Sequence, residues 1–252
     1  MAIFELSYIR PLYVLLIAAA LMSFAAYAGD WLRHHRARPD TSEGKDMKVI
    51  LPAALTLLGL IIGFSFSMAA GRYDQRKALE EDEANAIGTE YVLADLVPPA
   101  AQIHQLLRDY TEQRILFYEL RGGPKLAQVE ADTQALQAQL WNAVVPVAKS
   151  TPTPTVALVV KGMNDVLNSQ GYAEAMWRNR LPPGAWLLML MVGMFCALLF
   201  GYSEERRGRK RLLLLPVILA ISMGLIGDMD SPRLGLIHVV PHNLIALQAS
   251  LL

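Results

Sequence analysis

A chain of 252 residues with 54% apolar content, in which 23 Lys and Arg balance 23 Asp and Glu, has no net charge to draw it to nucleic acid or another highly charged partner. So high an apolar content at this length points to the membrane class. The single cysteine, Cys196, excludes an internal disulfide and a cysteine-based metal cluster.

Four segments are long and apolar enough to be read as spans, against the roughly 20 residues that a bilayer core requires: 11–29, 49–71, 181–202 and 212–227. The first ends on Ala26, Tyr27 and Ala28 ahead of Gly29, which fits the small-residue rule of a signal-peptide cleavage site. Only Arg10 precedes its apolar run, however, while Arg33, Arg36 and Arg38 follow it. That is the reverse of a signal peptide's charge order, so an uncleaved span is expected.

In the second span Gly59, Gly63, Ser67 and Gly71 recur every fourth residue and form a smooth stripe that another helix could approach closely. Leu60, Phe64 and Met68 make a bulky stripe beside it. Leu60, Phe64, Ser67 and Met68 are therefore the candidates for lining a pore. Arg72, Asp74, Arg76 and Lys77 follow directly, then four acids from Glu80 to Glu83, with no Pro or Gly before Gly88. One helix is expected to run unbroken out of the membrane. The acids at 80–83 suit cations at a pore mouth, and Arg72 and Arg76 suit anions. The plainer reading is a solvated face with local pairs such as Arg76 and Glu80, each worth about 0.2–0.5 kcal/mol.

The region 72–184 reads as helices throughout. Ile103, Leu107, Tyr110, Arg114, Phe117 and Leu120 share one face. A second helix presents Leu126, Val129, Leu136, Leu140, Val144 and Val147, and a third presents Val156, Val159, Val160, Met163, Leu167 and Trp177. Pro98 and Pro99, Gly122 to Pro124, and Pro152 to Pro154 punctuate them. Arg114 sits at an inward position, where an unpaired guanidinium is costly to bury, so it requires an acid. Asp74, Glu83 and Glu90 are the candidates, and Glu83 is favoured because it lies deeper along the helix than Asp74.

The last span, 212–227, covers only about 24 Å at 1.5 Å per residue, and Pro216 is expected to kink it. Tyr27, Trp31, Trp186 and Tyr202 suit interface anchors. Lys and Arg gather in two short loops: Arg33, Arg36, Arg38, Lys45 and Lys48, and then Arg206, Arg207, Arg209, Lys210 and Arg211. Both loops are expected in the cytoplasm, which leaves both termini and the region 72–184 on the outer face. Beyond the last span Asp228, Asp230, His238 and His242 supply ligand types for a mixed oxygen and nitrogen metal site. No closing signature accompanies them, so no metal and no cofactor are expected. Phosphate loop, nucleophile elbow and HExxH motifs are absent, and no enzyme activity is expected.

FSFSMAAGRYDQR followed by DEANAIGTEYVLADLVP, with GDMDSPRLGLI near the end, resembles the signature of a bacterial membrane family of unassigned function labelled bestrophin-like. The resemblance covers essentially the whole chain. It implies remote similarity to bestrophin anion channels, which are oligomers with two membrane helices on each side of a helical soluble region. Their second membrane helix carries apolar residues at four-residue spacing as a constriction, and Leu60, Phe64 and Met68 match that spacing. It also singles out the block holding Glu83 and Asn85. Ser231 departs from the motif, standing where a basic residue is expected. Bestrophins hold the soluble region in the cytosol, opposite to the charge count, which is followed here.

The expected architecture is an all-α membrane protein with a first hairpin at 1–71, a helical soluble domain at 72–184, and a second hairpin with a tail at 185–252. The expected function is a homo-oligomeric channel or pore in a bacterial inner membrane, handling small inorganic ions. The alternative is a non-conducting envelope sensor or scaffold that binds a partner through its helical region.

Overall fold

The computed structural model describes residues 11–35, 43–203 and 212–251, with the side chains of 43–48 left aside. All regular structure among the described residues is helical. In chain order α1 is Pro11–His35, α2 Glu43–Leu93, α3 Ala100–Glu119, α4 Pro124–Ser150, α5 Pro154–Arg178, α6 Pro183–Ser203, α7 Leu214–Asp230 and α8 His242–Ser250, with a 3₁₀ turn, Ala94–Leu96, after α2.

The punctuation acts as turn chemistry dictates. Val97 is extended, as a residue before proline must be, and closes the 3₁₀ turn ahead of Pro98 and Pro99. Gly122 and Gly123 take φ of +130° and +88°, a region that side chains rarely enter, and Pro124 then opens α4 at its first position. At α5 the Thr153 hydroxyl accepts the Val156 amide at 3.3 Å, with Pro154 in the first turn.

Helix α2 is 51 residues long and passes through both Pro52 and Gly88. The Thr56 hydroxyl donates to the Pro52 carbonyl at 2.9 Å, one turn back. Pro216 falls in the first turn of α7, where a missing N–H costs nothing, so the expected kink inside that helix does not arise.

The described residues fall into two units. One comprises residues up to Gly71 together with Arg180–Ile237. Here α1 packs on α6 and α7 around Met22, Ala26, Met189, Cys196 and Ile226, all fully buried. The α1/α6 contact is backbone on backbone: a Cβ on Gly201 would overlap the Ala26 carbonyl, and one on Gly29 would overlap the Leu198 carbonyl and stand 2.9 Å from the Tyr202 amide. Ala26 and Gly29, which read as part of a cleavage signature, thus serve helix packing in an α1 that continues to His35.

The second unit comprises Arg72–Asn179 and the tail from His238. Its core joins Ile87, Ile103, Leu107, Tyr110, Leu140, Val159, Met163 and Val166, none of them accessible to solvent, so the inward faces of α3, α4 and α5 are those read from periodicity except that Val166, and not Leu167, turns inward on α5. The tail helix α8 packs on α3 within this unit, whereas the sequence grouped the tail with the last span.

Three stretches are long and apolar enough to cross a membrane, lying within Pro11–His35, Val49–Leu96 and Pro154–Ser203. The fourth expected span corresponds to α7, which has 17 residues. Of the loop charges used for orientation, Arg36, Arg38 and the cluster Arg206, Arg207, Arg209, Lys210 and Arg211 lie outside the described residues, as do the side chains of Lys45 and Lys48.

Candidate functional site

Beyond Gly71, α2 buries a face made largely of charge. Arg76, Glu80, Glu83 and Glu90 are at most 2% exposed, and with Ile87 they follow the three- and four-residue steps of one helix face. A buried ion is tolerable only when fully engaged, so each should have a dedicated partner.

Arg76 reaches the C-terminus of α5, donating Nη2 to the Asn179 carbonyl at 3.1 Å and Nε to the Met176 carbonyl at 3.4 Å. Those carbonyls have no partner within their own helix, and a cation there complements the helix dipole. Glu80 does the converse at α8. Pro241 at its N-cap has no side chain able to cap it, and Glu80 Oε1 instead accepts the Asn243 and Leu244 amides at 3.0 and 2.9 Å, while Oε2 accepts the Asn243 side-chain amide at 2.6 Å. The helix ends that these two residues hold account for their burial.

Arg114 of α3 meets Glu83. Its Nε donates to Oε1 and its Nη2 lies 3.4 Å from Oε2, in a fork with both side chains fully buried. Tyr118 donates to Glu83 Oε2 at 3.1 Å, and Arg114 Nη1 also reaches Glu174 Oε1 at 3.4 Å. Phe117 lies beneath the guanidinium, with Cζ 4.3 Å from its ring centroid. Burial alone would weaken the guanidinium's hold on its proton, but Glu83, through its charge and its hydrogen bond, together with Tyr110 and Tyr118, more than offsets it, and Arg114 stays firmly charged. Burial, then Glu83, pushes the Tyr118 hydroxyl up, so it remains a donor. Glu174 in turn accepts from Gln170 and pairs with Arg178 at 3.7 Å, which carries the network outward to solvent.

Of the three proposed acids, Asp74 is exposed and Glu90 makes no bond to Arg114, so it is Glu83 that joins it; Arg72 is half-buried. Asn85 is exposed and lines an open groove of about 620 Å³ between α2 and α8, with Thr89, Asn243 and Leu247.

Leu60, Phe64 and Met68 are 55%, 63% and 44% exposed, and Ser67 is exposed beside them. Around Gly59, Gly63 and Gly71 there is nothing within 4 Å of a would-be Cβ. Among the described residues no side chain or backbone stands against these glycines, and the close backbone approach occurs on α1 and α6 instead.

Of the suggested mixed ligand set, the two acids bond backbone amides. Asp228 accepts the Leu236 and Ile237 amides at 2.7 Å each, and Asp230 accepts the Leu181 amide at 2.8 Å. Asp228 thus folds the segment after α7 and Asp230 ties the end of α7 to the residues ahead of α6, while a Cβ on Gly235 would press on the Asp228 carbonyl and carboxyl. Among the described residues no group of three or more His, Cys, Asp or Glu is placed to hold a metal, His238 and His242 included.

A family model described as a bestrophin-like domain matches residues 15–244. A crystal structure of a bacterial bestrophin homolog from Klebsiella pneumoniae carrying a point mutation is similar at a TM-score of 0.64 and 12% identity, covering 96% of this chain and 97% of that one. Another structure of the Klebsiella homolog gives 0.62 at 12% identity over 94% and 98%. A structure described as a membrane protein gives 0.64 at 11% identity over 95% and 99%. At such identities the likeness concerns the fold. No functionally curated protein matches the chain.

Proposed function

Because the chain belongs to the bestrophin-like family, we propose that it is a homo-oligomeric, pore-forming protein of a bacterial inner membrane whose second span faces the axis. Leu60, Phe64, Ser67 and Met68 then form the narrow apolar part of the path for small inorganic ions. The carrying observation is the nakedness of α2. Only 11% of its most apolar stretch is buried by its own chain, against 28% for α1 and 33% for the stretch that includes α6. With its open glycine stripe, α2 has the surface that a neighbouring subunit's helix would cover. Bestrophin homologs of this fold support the reading at the level of architecture.

In this arrangement α7 is a fourth span and both hairpins lie in the bilayer. The Lys and Arg distribution supports cytoplasmic loops and an outer location for residues 72–184, which reporter fusions after Lys149 and after Gly208 would check.

Conduction is tested by planar-bilayer recording from the purified protein. Ion current is expected, and Phe64→Ala with Met68→Ala should change its size or selectivity by widening the constriction. If neither protein carries current, the pore reading fails.

A further inference from the structure

Of the four charged residues that α2 buries in the second unit, three are bonded and one is not. Glu90 is fully buried, yet among the described residues neither carboxyl oxygen has a hydrogen-bond partner. Its carboxyl lies against α5 at Gly162, where a Cβ would overlap Oε2 and press on the Leu93 side chain. The absence of a side chain at 162 is what lets the carboxyl fit between the helices.

No basic group compensates. From α5 the nearby charged groups are Asp165, which repels an ionised Glu90, and Lys161, which is exposed and engaged to Asp165 at 2.8 Å. From α3, Arg108 donates to the Tyr91 hydroxyl and to Gln105, His104 bonds the Tyr91 carbonyl and pairs with Asp95 of the 3₁₀ turn, and Arg114 is committed to Glu83. A carboxylate in this slot would have neither water nor a cation, whereas a neutral carboxylic acid lacks only ordinary hydrogen bonds.

We propose that Glu90 and the α5 backbone at Gly162 form a proton-operated latch. The α2–α5 contact closes on the protonated carboxyl and loosens when that proton leaves to solvent, because the carboxylate must then be hydrated. Burial first, and Asp165 second, push the Glu90 carboxyl from its ordinary 4.5 up to about 8. The sign follows from the raised value. Closure is favoured fully below about pH 4.5, and that advantage drains as pH rises through about 8. The latch therefore operates across neutral pH.

Hydrogen exchange of the α5 amides around 156–166, corrected for intrinsic rates, reads the opening directly. In the wild-type protein, protection should fall about tenfold per pH unit between about pH 5 and 8 and level off above. Glu90→Gln removes the titrating group and should make protection independent of pH. Should that variant fail to fold, Asp165→Asn alters an exposed side chain and should move the levelling-off to lower pH by removing the repelling charge. Flat protection in the wild type, an unchanged slope in Glu90→Gln, or an unmoved profile in Asp165→Asn would each overturn the latch.

Discussion

Arg114→Leu should lower the unfolding free energy by about 3–5 kcal/mol, because it strands the Glu83 carboxylate where no solvent reaches it. Glu83→Gln should cost a similar amount, since it leaves the guanidinium with only the longer contact to Glu174 and takes the acceptor charge from Tyr118. The pair and not either residue alone is the unit of stability, so the double mutant should be no worse than the worse single. An exposed pair would yield less than about 1 kcal/mol in the same cycle, and full burial places this one in the larger class. Unfolding of the purified protein in detergent, followed by circular dichroism, measures all three variants. Strictly additive losses would show that the two side chains act independently.

The second large effect is expected on the membrane side. Gly201→Leu forces a side chain into the Ala26 carbonyl, and backbone cannot yield as a flexible side chain can, so α1 and α6 must separate. A loss of at least about 1–3 kcal/mol is expected. Gly63→Leu is the counterpart, because nothing lies within 4 Å of its Cβ position in the single chain. Its subunit fold should be unharmed, while oligomers seen by native mass spectrometry or light scattering should be lost if a neighbouring helix covers the stripe. Equal thermal losses at both positions would contradict this division between packing within a subunit and packing between subunits.

The helices of the second unit were legible because periodicity is a local signal. Ile103 to Phe117, Val129 to Val144 and Val156 to Met163 each repeat at helical spacing between Pro or Gly breaks. Arg114 was legible by the same logic, as a cation on an otherwise apolar face. The buried charges of α2 were harder, because a run of acids and bases ordinarily marks a solvated surface. Part of this run is one: Asp74, Lys77, Glu81 and Asp82 are exposed. The signal that separates the two faces is the spacing of Arg76, Glu80, Glu83, Ile87 and Glu90, in which the large apolar residue shares a stripe with four ionisable residues. Their partners were not readable, since Glu80 caps a helix 163 residues away and Arg76 holds carbonyls 100 and 103 residues away. No local pattern encodes such a contact.

The glycines make the same point. A four-residue repeat in α2 reads as a packing stripe, yet the grooves that the chain fills are at Gly29 and at Gly201, the latter in a shorter run of small residues, Gly193, Ala197 and Gly201, on α6. Periodicity shows that a face is smooth and leaves open which helix meets it. Asp228 and Asp230 were ambiguous for a related reason, because a carboxylate that caps backbone amides and one that binds a metal are the same residue type.

That α2 faces the axis is tested most directly by cysteine modification during current recording, in a Cys196→Ser background that removes the native, buried thiol. Phe64→Cys and Phe66→Cys place thiols on opposite sides of the same helix, at sites 63% and 39% exposed in the single chain. A membrane-impermeant, thiol-reactive reagent should block current through the Phe64→Cys protein and leave the Phe66→Cys protein unaffected. Current that persists through modified Phe64→Cys, or that falls only in Phe66→Cys, would contradict the placement of this face of α2 on the path of the ion.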